Sequence, residues 1–444
     1  MVKTRKAREH FSSRWGFIVA CIGSAVGMGN LWRFPTMVSK WGGLTFLLPY
    51  LCCVLLISST GVIAEFALGR ATRSGPIGAF AHCAQLRWKR RLPGQLVGIV
   101  PILGAMALAI GYTVVMGWIL KYSYLALSGG IYHMGQDMDK IGRTFTQTAE
   151  QNPSWIIVAA LVAFVIMALG IARGIERANK LMMPALFLLM LALAIYIATL
   201  PGAGAAYTYI FQLRPQGLLD PQVWLFAFGQ AFFSLSVAGN GSVIYGSYLS
   251  EGEDLPNSAR KVALFDTVAA LLAAFVILSA MAVQGAELSA GGPGLMFIYL
   301  VPVLNAIPGG LLVGMVFYVC VLVAGLSSII NLYEAPVATL QEQLGLGRAQ
   351  ATGLALTLGA VAAILIQGIT SDWMDIVSIY ICPLGALLAG LFFCWIAGKD
   401  FVERAVGSGR SKALGPWFYP LTKYVYCALC LLALIAGAIV GGIG

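Results

Sequence analysis

Two long apolar stretches of the chain are interrupted by glycines and polar residues. They are GSAVGMGNLWRFP, residues 23–35, and FFSLSVAGNGSVIYGSY, residues 232–248. If such a stretch crosses a membrane, backbone that leaves the helix must be satisfied by protein or by a water-filled cavity. Its carbonyls can bind a cation, and the N-terminal ends of half-helices favour an anionic group. Close helix packing explains GSAVG alone equally well, but it does not explain Asn30, Arg33 and Pro35 directly after it.

Two further features suit cation binding. Asp266 lies in the apolar segment LFDTVAALLA, and a carboxylate inside a membrane span is costly unless a cation accompanies it. We interpret Asp266 as a cation ligand, with a structural role as the alternative. Ser327 and Ser328 are adjacent in AGLSS. Taken alone, these serines fit better with hydrogen bonds back to the preceding helical turn.

The composition places these residues in a membrane. The 444 residues are 59% hydrophobic and only 10% charged, which is more apolar surface than a soluble core needs. The net charge of +10 invites a nucleic-acid interpretation, but the basic residues cluster in segments that would all be cytoplasmic. We therefore expect a multi-pass protein of the inner (plasma) membrane with a cytoplasmic N-terminus and no nucleic-acid partner. The bilayer is its expected surrounding, and no obligate protein partner is evident.

The CxxC of Cys427 and Cys430 is explained by helix packing.

Apolar runs of about 20 residues predict eleven transmembrane helices. They begin near Arg14, Gly42, Leu92, Ser154, Ala178, Gln222, Val262, Leu311, Gln350, Asp372 and Trp417. An odd number puts the C-terminus outside the cell. Because spans one and six are both interrupted, we expect two five-helix halves around a binding site at the bilayer midplane. The predicted organisation is a cytoplasmic tail (1–13), a first repeat (14–200), an extracellular connection (201–221), a second repeat (222–396) with an extracellular cap at about 286–310, and a cytoplasmic loop with helix 11 (397–444).

The motif at 23–35 resembles the first-helix signature of the neurotransmitter:sodium symporter family. The resemblance continues in order through GQAFFSLS, GGPGLMFIYLVP, AGLSSIINLYE and DWMDIVSIY. It implies the LeuT-type fold, an all-α polytopic membrane protein of two inverted five-helix repeats with discontinuous helices 1 and 6. Eleven spans depart from the commoner family layout of twelve, but the core of ten is unaffected.

The resemblance implies two sodium sites. The first would use the Ala25 carbonyl and the side chains of Asn30, Ser234 and Asp266. The second would use the carbonyls of Gly23, Val26 and Ala324 with the hydroxyls of Ser327 and Ser328. Chloride-dependent family members have an asparagine where this chain has Asp266. We therefore predict transport without chloride.

The same resemblance implies an amino acid site. The substrate carboxylate would meet the backbone amides of Met28 and Gly29, the Tyr112 hydroxyl and the first sodium ion. The ammonium would meet the carbonyls of Ala25, Phe233 and Ser234 and the hydroxyl of Ser236. Monoamine carriers of the family have an aspartate where this chain has Gly27. We therefore expect a substrate that brings its own carboxylate.

The expected pocket wall bears on specificity. By resemblance it consists of Leu108, Val115, Phe233, Gly239 and Leu332. Gly239 stands where relatives have a bulky residue, and Asn240 beside it adds an amide, with Asn331 a further source of polarity. This predicts a larger neutral amino acid, aromatic or branched, with a polar group tolerated. Equally, Asn240 could serve only to cap the second half-helix.

Charge pairs are the expected gates. On the external side, Arg33 would pair with Asp375 above a lid formed by Tyr112 and Phe233. On the cytoplasmic side, Arg8 would pair with Glu342, although Arg8 fits equally well as an ordinary positive-inside residue. Exposed ion pairs contribute only about 0–1 kcal/mol, which suits a gate that must open. Gly174 and Pro184 bracket the start of span five, where local unwinding would admit water to the second sodium site.

A sodium-coupled importer is the leading interpretation. The rivals are a sensor that binds the amino acid with little transport, a symporter for a small or polar substrate, and an intramembrane enzyme. The three histidines are dispersed, and no HExxH, nucleotide loop or Ser-His-Asp order is present, so we expect no catalytic residues.

Overall fold

Long helices follow the apolar runs of the sequence. The structure is a computed structural model that describes residues 9–237, 240–285, 287–288, 295–410 and 414–441. We number its helices α1 (Arg14–Ala25), α2 (Gly29–Trp41), α3 (Gly43–Thr72), α4 (Pro76–Trp88), α5 (Leu92–Leu127), α6 (Met138–Glu150), α7 (Pro153–Ala168), α8 (Ile171–Ala198), α9 (Gly204–Phe211), α10 (Pro221–Ser234), α11 (Gly241–Ser247), α12 (Leu255–Val283), α13 (Met296–Ala306), α14 (Gly310–Leu344), α15 (Arg348–Leu365), α16 (Gln367–Ile396), α17 (Lys399–Gly407) and α18 (Phe418–Val440).

Among the described residues, eight helices are long and apolar enough to cross a membrane. They are α3, α5, α8, α12, α14, α15, α16 and α18. The pairs α1 with α2 and α6 with α7 also qualify when each is taken together, bent by 47° and 62°, which gives up to ten spans. The predicted sixth span is divided into α10 and α11, of 14 and 7 residues. Eleven is reached only by taking these two halves as one broken span, so that number and the domain boundaries stay predictions.

The first predicted interruption is present between α1 and α2. Val26 leaves the helical region with φ −77° and ψ 96°, and the chain resumes at Gly29 in a π-helical turn that extends to Arg33. The close approach of α14 favours glycine at position 27, because a Cβ there would lie 2.0 Å from the Ser328 hydroxyl oxygen. Such π turns occur often at functional sites, and this one carries Asn30.

The second predicted interruption lies between α10 and α11. Ser236 and Asn240 both have φ of +56°, a left-handed conformation that side-chain-bearing residues seldom adopt. Helix α3 packs against both halves, α10 along its first part and α11 along its last. Helix α1 is held by α8, α12 and α14. The two breaks are therefore fixed by intact neighbouring helices.

The described part of the predicted cap contains helix α13, whose apolar side chains pack into the protein. Met296, Phe297 and Leu300 of α13 are buried. The Phe297 ring meets four aromatic rings at centroid distances of 5.0 to 6.4 Å: Trp32, Trp118, Tyr122 and Phe145. Phe145 comes from the amphipathic helix α6, which precedes α7.

Candidate ion and substrate site

The Asp266 carboxylate is the most densely bonded polar group at the breaks. It is fully buried and accepts hydrogen bonds from Ser234 Oγ (2.8 and 2.9 Å), Asn30 Nδ2 (2.7 Å) and Tyr50 OH (3.4 Å). These donors come from α10, α2 and α3. In the described part of the chain, no lysine or arginine pairs with it. A carboxylate so deeply buried is costly without a cation, and the carboxylate and Ser234 hydroxyl oxygens gathered here are of the kind that bind a monovalent ion.

Asn30 connects this carboxylate to the helix break. Its Nδ2 faces Asp266 and its Oδ1 accepts the backbone N–H of Gly27 at 3.1 Å. The structure thus brings together Asn30, Ser234 and Asp266, three of the four residues predicted for the first sodium site, with Ala25 at the last turn of α1. Tyr50 was not anticipated, because a tyrosine in an apolar helix carries no signal of its direction.

The serines of α14 form the hydrogen bonds back to their own helix that they suggest when taken alone, and they also contact the first break. Ser327 Oγ donates back to the Ala324 carbonyl at 2.8 Å and also across to the Val26 carbonyl at 3.2 Å. Ser328 Oγ donates to the Ala324 carbonyl at 3.0 Å and accepts the Met28 N–H at 3.3 Å. Four of the five residues predicted for the second site are therefore neighbours in space.

Gly23, the fifth, approaches α8 instead. A Cβ on Gly23 would lie 1.9 Å from Asn179 Oδ1, a buried oxygen that has no hydrogen-bond partner in the described part of the chain. Asn179 was not anticipated from the sequence.

A cavity lies between the breaks, beside Ser234. Its described lining includes eight residues predicted to bind substrate: Ala25, Gly29, Leu108, Tyr112, Phe233, Ser234, Ser236 and Leu332. Seven other residues complete the lining: Ser24, Gly27, Ala105, Gly241, Ser328, Asn331 and Ala335. The site therefore combines the backbone of two helix ends with an apolar wall.

Three residues predicted for the pocket, Val115, Met28 and Asn240, lie outside its described lining. Val115 is buried among the helices, and the Met28 N–H is taken by Ser328. Asn240 precedes α11 in the N-cap position, yet its side chain makes no capping bond and donates to Glu65 Oε1 at 3.3 Å. Gly239 lies outside the described residues.

Aromatic rings close one end of the cavity. The Tyr112 and Phe233 rings stack at a centroid distance of 6.4 Å, as predicted for the lid, and Arg33 Cζ lies 4.7 Å from the Phe233 centroid. The predicted ion pair with Asp375 is not formed between these two described residues, because Arg33 turns onto the ring and Asp375 is exposed. That pair stays a prediction for another state of the gate.

Of the predicted cytoplasmic gate pair, Arg8 and Glu342, the structure describes only Glu342. Glu342 accepts hydrogen bonds from Ser74 Oγ at 2.7 Å and from the Gly75 N–H at 3.0 Å, and Arg8 lies outside the described residues. Gly174 lies in a π-helical turn and Pro184 within the helix that follows, so α8 is not unwound in this structure.

Polar bonds at Glu176 hold the first turns of α8. Ser12 donates its backbone N–H to the Glu176 carboxylate at 2.7 Å, and Lys180 pairs with it at 2.6 Å. Unwinding between Gly174 and Pro184 therefore stays a prediction.

Broken helices that surround a cavity beside a buried carboxylate define a class of membrane transporter. The sodium:neurotransmitter symporter family model matches residues 8–134 and 128–439, and the chain belongs to that family. The family comprises secondary transporters rather than enzymes, and the chain is a sodium-dependent transporter.

Relatives of known name agree with this assignment. The chain is 32% identical over 446 residues to the uncharacterized sodium-dependent transporter YhdH of Bacillus subtilis, covering 96% of each. It is 30% identical to the uncharacterized sodium-dependent transporter MJ1319 of Methanocaldococcus jannaschii, covering 94% of this chain and 88% of that one. The crystal structure of MhsT in complex with L-phenylalanine aligns with a TM-score of 0.84 at 31% identity, over 97% of this chain and 100% of the other.

Proposed function

We propose that the protein is a symporter that imports a neutral, hydrophobic or aromatic L-amino acid together with sodium, by alternating access and without chloride. One observation carries this proposal. Ser234 lines the cavity and also donates to the buried Asp266 carboxylate, so the substrate site and the first ion site share a residue. A substrate carboxylate in the cavity would lie beside the same ion.

Shared groups explain coupling between ion and substrate. If a sodium ion and an amino acid carboxylate each stabilise the other in the closed site, each raises the other's affinity by the same factor. The second ion would lie at Ser327 and Ser328, whose hydroxyls contact Val26 and Met28 of the first break. Two sodium ions are therefore proposed.

The cavity wall supports an apolar side chain. Leu108, Ala105, Leu332 and Ala335 line it, below the Tyr112 and Phe233 rings. MhsT, a similar structure, was crystallised with L-phenylalanine. Small glycines and alanines leave room where the substrate side chain must lie.

Independence from chloride rests on the charge of Asp266. A site that contains its own carboxylate needs no bound anion to balance sodium. The proposed orientation keeps the N-terminus in the cytoplasm and the C-terminus outside, in accord with the distribution of basic residues.

Two alternatives remain as outcomes of the test. Polar residues in the lining, Ser24 and Asn331, favour a small or polar amino acid as the second candidate substrate. A sensor would bind the amino acid in a sodium-dependent manner and accumulate little of it.

Uptake into proteoliposomes tests the proposal. We expect an inward sodium gradient to drive accumulation of radiolabelled L-phenylalanine, potassium to abolish it, and replacement of chloride by gluconate to leave it unchanged. Collapse of uptake in gluconate would overturn chloride independence. Sodium-dependent binding without accumulation would identify a sensor, and selective competition by glycine or alanine would identify a small-substrate carrier.

A further inference from the structure

A second carboxyl group is buried beside the break between α10 and α11, apart from the ion sites. Glu65 of α3 is 1% exposed. In the described part of the chain, no lysine or arginine lies within 4.0 Å of it. Its one hydrogen bond comes from Asn240 Nδ2, which donates to Glu65 Oε1 at 3.3 Å. An unpaired carboxylate at such a depth is far more costly than a neutral carboxylic acid.

Two oxygen atoms of this pair have no hydrogen-bond partner among the described residues. They are Glu65 Oε2 and Asn240 Oδ1, both buried. If Glu65 is ionised, both atoms are acceptors and neither can satisfy the other. A proton on Oε2 turns that atom into a donor, and the carboxamide oxygen of the same asparagine is then its natural acceptor. One proton therefore accounts for both unsatisfied atoms.

The neighbours of the pair are neutral. The charge of an ionised Glu65 would act on Tyr426 and Cys430 of the facing helix α18, and both of these side chains are buried. A Cβ on Gly385 of α16 would lie 3.8 Å from Asn240 Nδ2, so the amide is enclosed by α16 as well. Lys423 of α18 lies over the Trp395 ring, and Arg70 of α3 donates to the backbone carbonyls of residues 253 and 405, so neither is paired with Glu65.

We propose that Glu65 is a proton-binding site, and that the protonated acid and the Asn240 carboxamide form a double hydrogen bond that clamps the start of α11 beside the substrate cavity. The proton comes from the aqueous phase and returns to it. Asn240 holds a left-handed conformation, and the following Gly241 lines the cavity. Loss of the proton leaves a buried charge at this point and releases α11 from α3, so proton release accompanies opening of the site.

Infrared spectroscopy of the full-length protein tests protonation directly. We expect wild type at neutral pH to show a carboxylic-acid C=O band that is lost in E65Q. In N240G, glycine keeps the left-handed conformation, and the band shifts to higher frequency because the Asn240 donor is gone. A band that persists in E65Q, or a spectrum with only carboxylate bands, overturns the proposal.

Thermal stability in detergent provides a second test with a matched control. Glutamine at position 65 can accept from Asn240 Nδ2 and donate to Oδ1, as the protonated acid does, so E65Q should melt no lower than wild type. Glu334 is equally buried but pairs with Arg348 at 2.7 Å, and E334Q should melt lower because it leaves that arginine unpaired. Equal losses in both variants would contradict a protonated Glu65.

A binding measurement tests the functional consequence, which rests on the proposed sodium-dependent uptake of an amino acid. Affinity for L-phenylalanine in sodium should weaken about tenfold in wild type as the pH is raised into the alkaline range, the effect of one buried hydrogen bond. In E65Q it should stay flat. A parallel decline in both proteins overturns the coupling of this proton to binding. Absence of sodium-dependent binding at every pH would instead count against the proposed function, and it would leave the infrared result standing.

Discussion

The two candidate ion sites lie at the same helix break, but the first is centred on a carboxylate and the second on two serine hydroxyls. At the first, donors from α2, α3 and α10 converge on one carboxylate, and all of their hydrogen bonds to it cross between helices. At the second, Ser327 and Ser328 each keep a bond to the Ala324 carbonyl of their own helix and make one further contact with the break.

This difference indicates how much each site depends on its ion. A buried carboxylate without a cation carries an uncompensated desolvation cost, so we expect the first site to bind sodium strongly. The serine hydroxyls already have helical partners and lose little when no ion is present. We infer that the first site provides most of the affinity, whereas the second is suited to binding and releasing its ion readily.

The largest effect is expected for D266N. Asparagine keeps the shape but removes the charge, so the apparent sodium affinity should fall by on the order of 100-fold or more, as for removal of one partner from a buried ion pair. Sodium-dependent thermal stabilisation at a fixed amino acid concentration measures it. D139N, in the exposed helix α6, is the matched control and should match wild type. An unchanged sodium response in D266N would abolish the distinction between the sites.

G27A should have the next largest effect. The new Cβ would lie 2.0 Å from Ser328 Oγ, so the hydroxyl must move and give up its bonds to the Ala324 carbonyl and the Met28 N–H. Two hydrogen bonds of about 1 kcal/mol each predict a sodium affinity about 30-fold lower. Gly142 has open space around it, so G142A is the control for the same exchange. A wild-type sodium titration for G27A would show that Ser328 is not needed in its observed position.

S328A should cost less than G27A, because no displaced hydroxyl remains and only the Met28 N–H loses its partner. We expect sodium affinity to fall about fivefold, the value of one hydrogen bond of about 1 kcal/mol. Thr339 makes the same kind of bond back to its own helix, to the Ala335 carbonyl at 2.8 Å, and T339V tests the loss of such a hydroxyl outside the site. If S328A weakened sodium as strongly as D266N, the two sites would be equally demanding and our comparison would fail.

The helix breaks and the buried acid could be predicted from the sequence for physical reasons, whereas the ligand sets were implied by the family resemblance. Glycine and polar residues inside apolar runs locate both helix breaks, and the cost of a buried acid marks Asp266. The direction of a side chain across a helix bundle is not encoded by periodicity, so the partners Tyr50 and Asn179 were not anticipated. For the same reason the sequence suggested that Asn240 faces the substrate or caps α11, whereas it faces Glu65. Glu65 itself gave no signal, since one acid near a helix end is ordinary.

The smallest effect is expected at the lid, where the contact of Arg33 involves no predicted ion ligand. Arg33 Cζ lies 4.7 Å from the centroid of the Phe233 ring, and R33Q removes a cation–π contact of about 0.5–1 kcal/mol. We expect bound amino acid to dissociate about two- to fivefold faster, measured by chase with unlabelled substrate, with sodium affinity nearly unchanged. R33K, which keeps the charge over the ring, should recover most of the residence time.

D375N separates the two accounts of this gate. In the closed arrangement seen here, Arg33 contacts the ring and not Asp375, so D375N should leave the dissociation rate at the wild-type value. If the ion pair predicted from the sequence holds the lid instead, D375N and R33Q should accelerate dissociation equally. The double variant should then be no faster than either single one, because both changes would break the same contact.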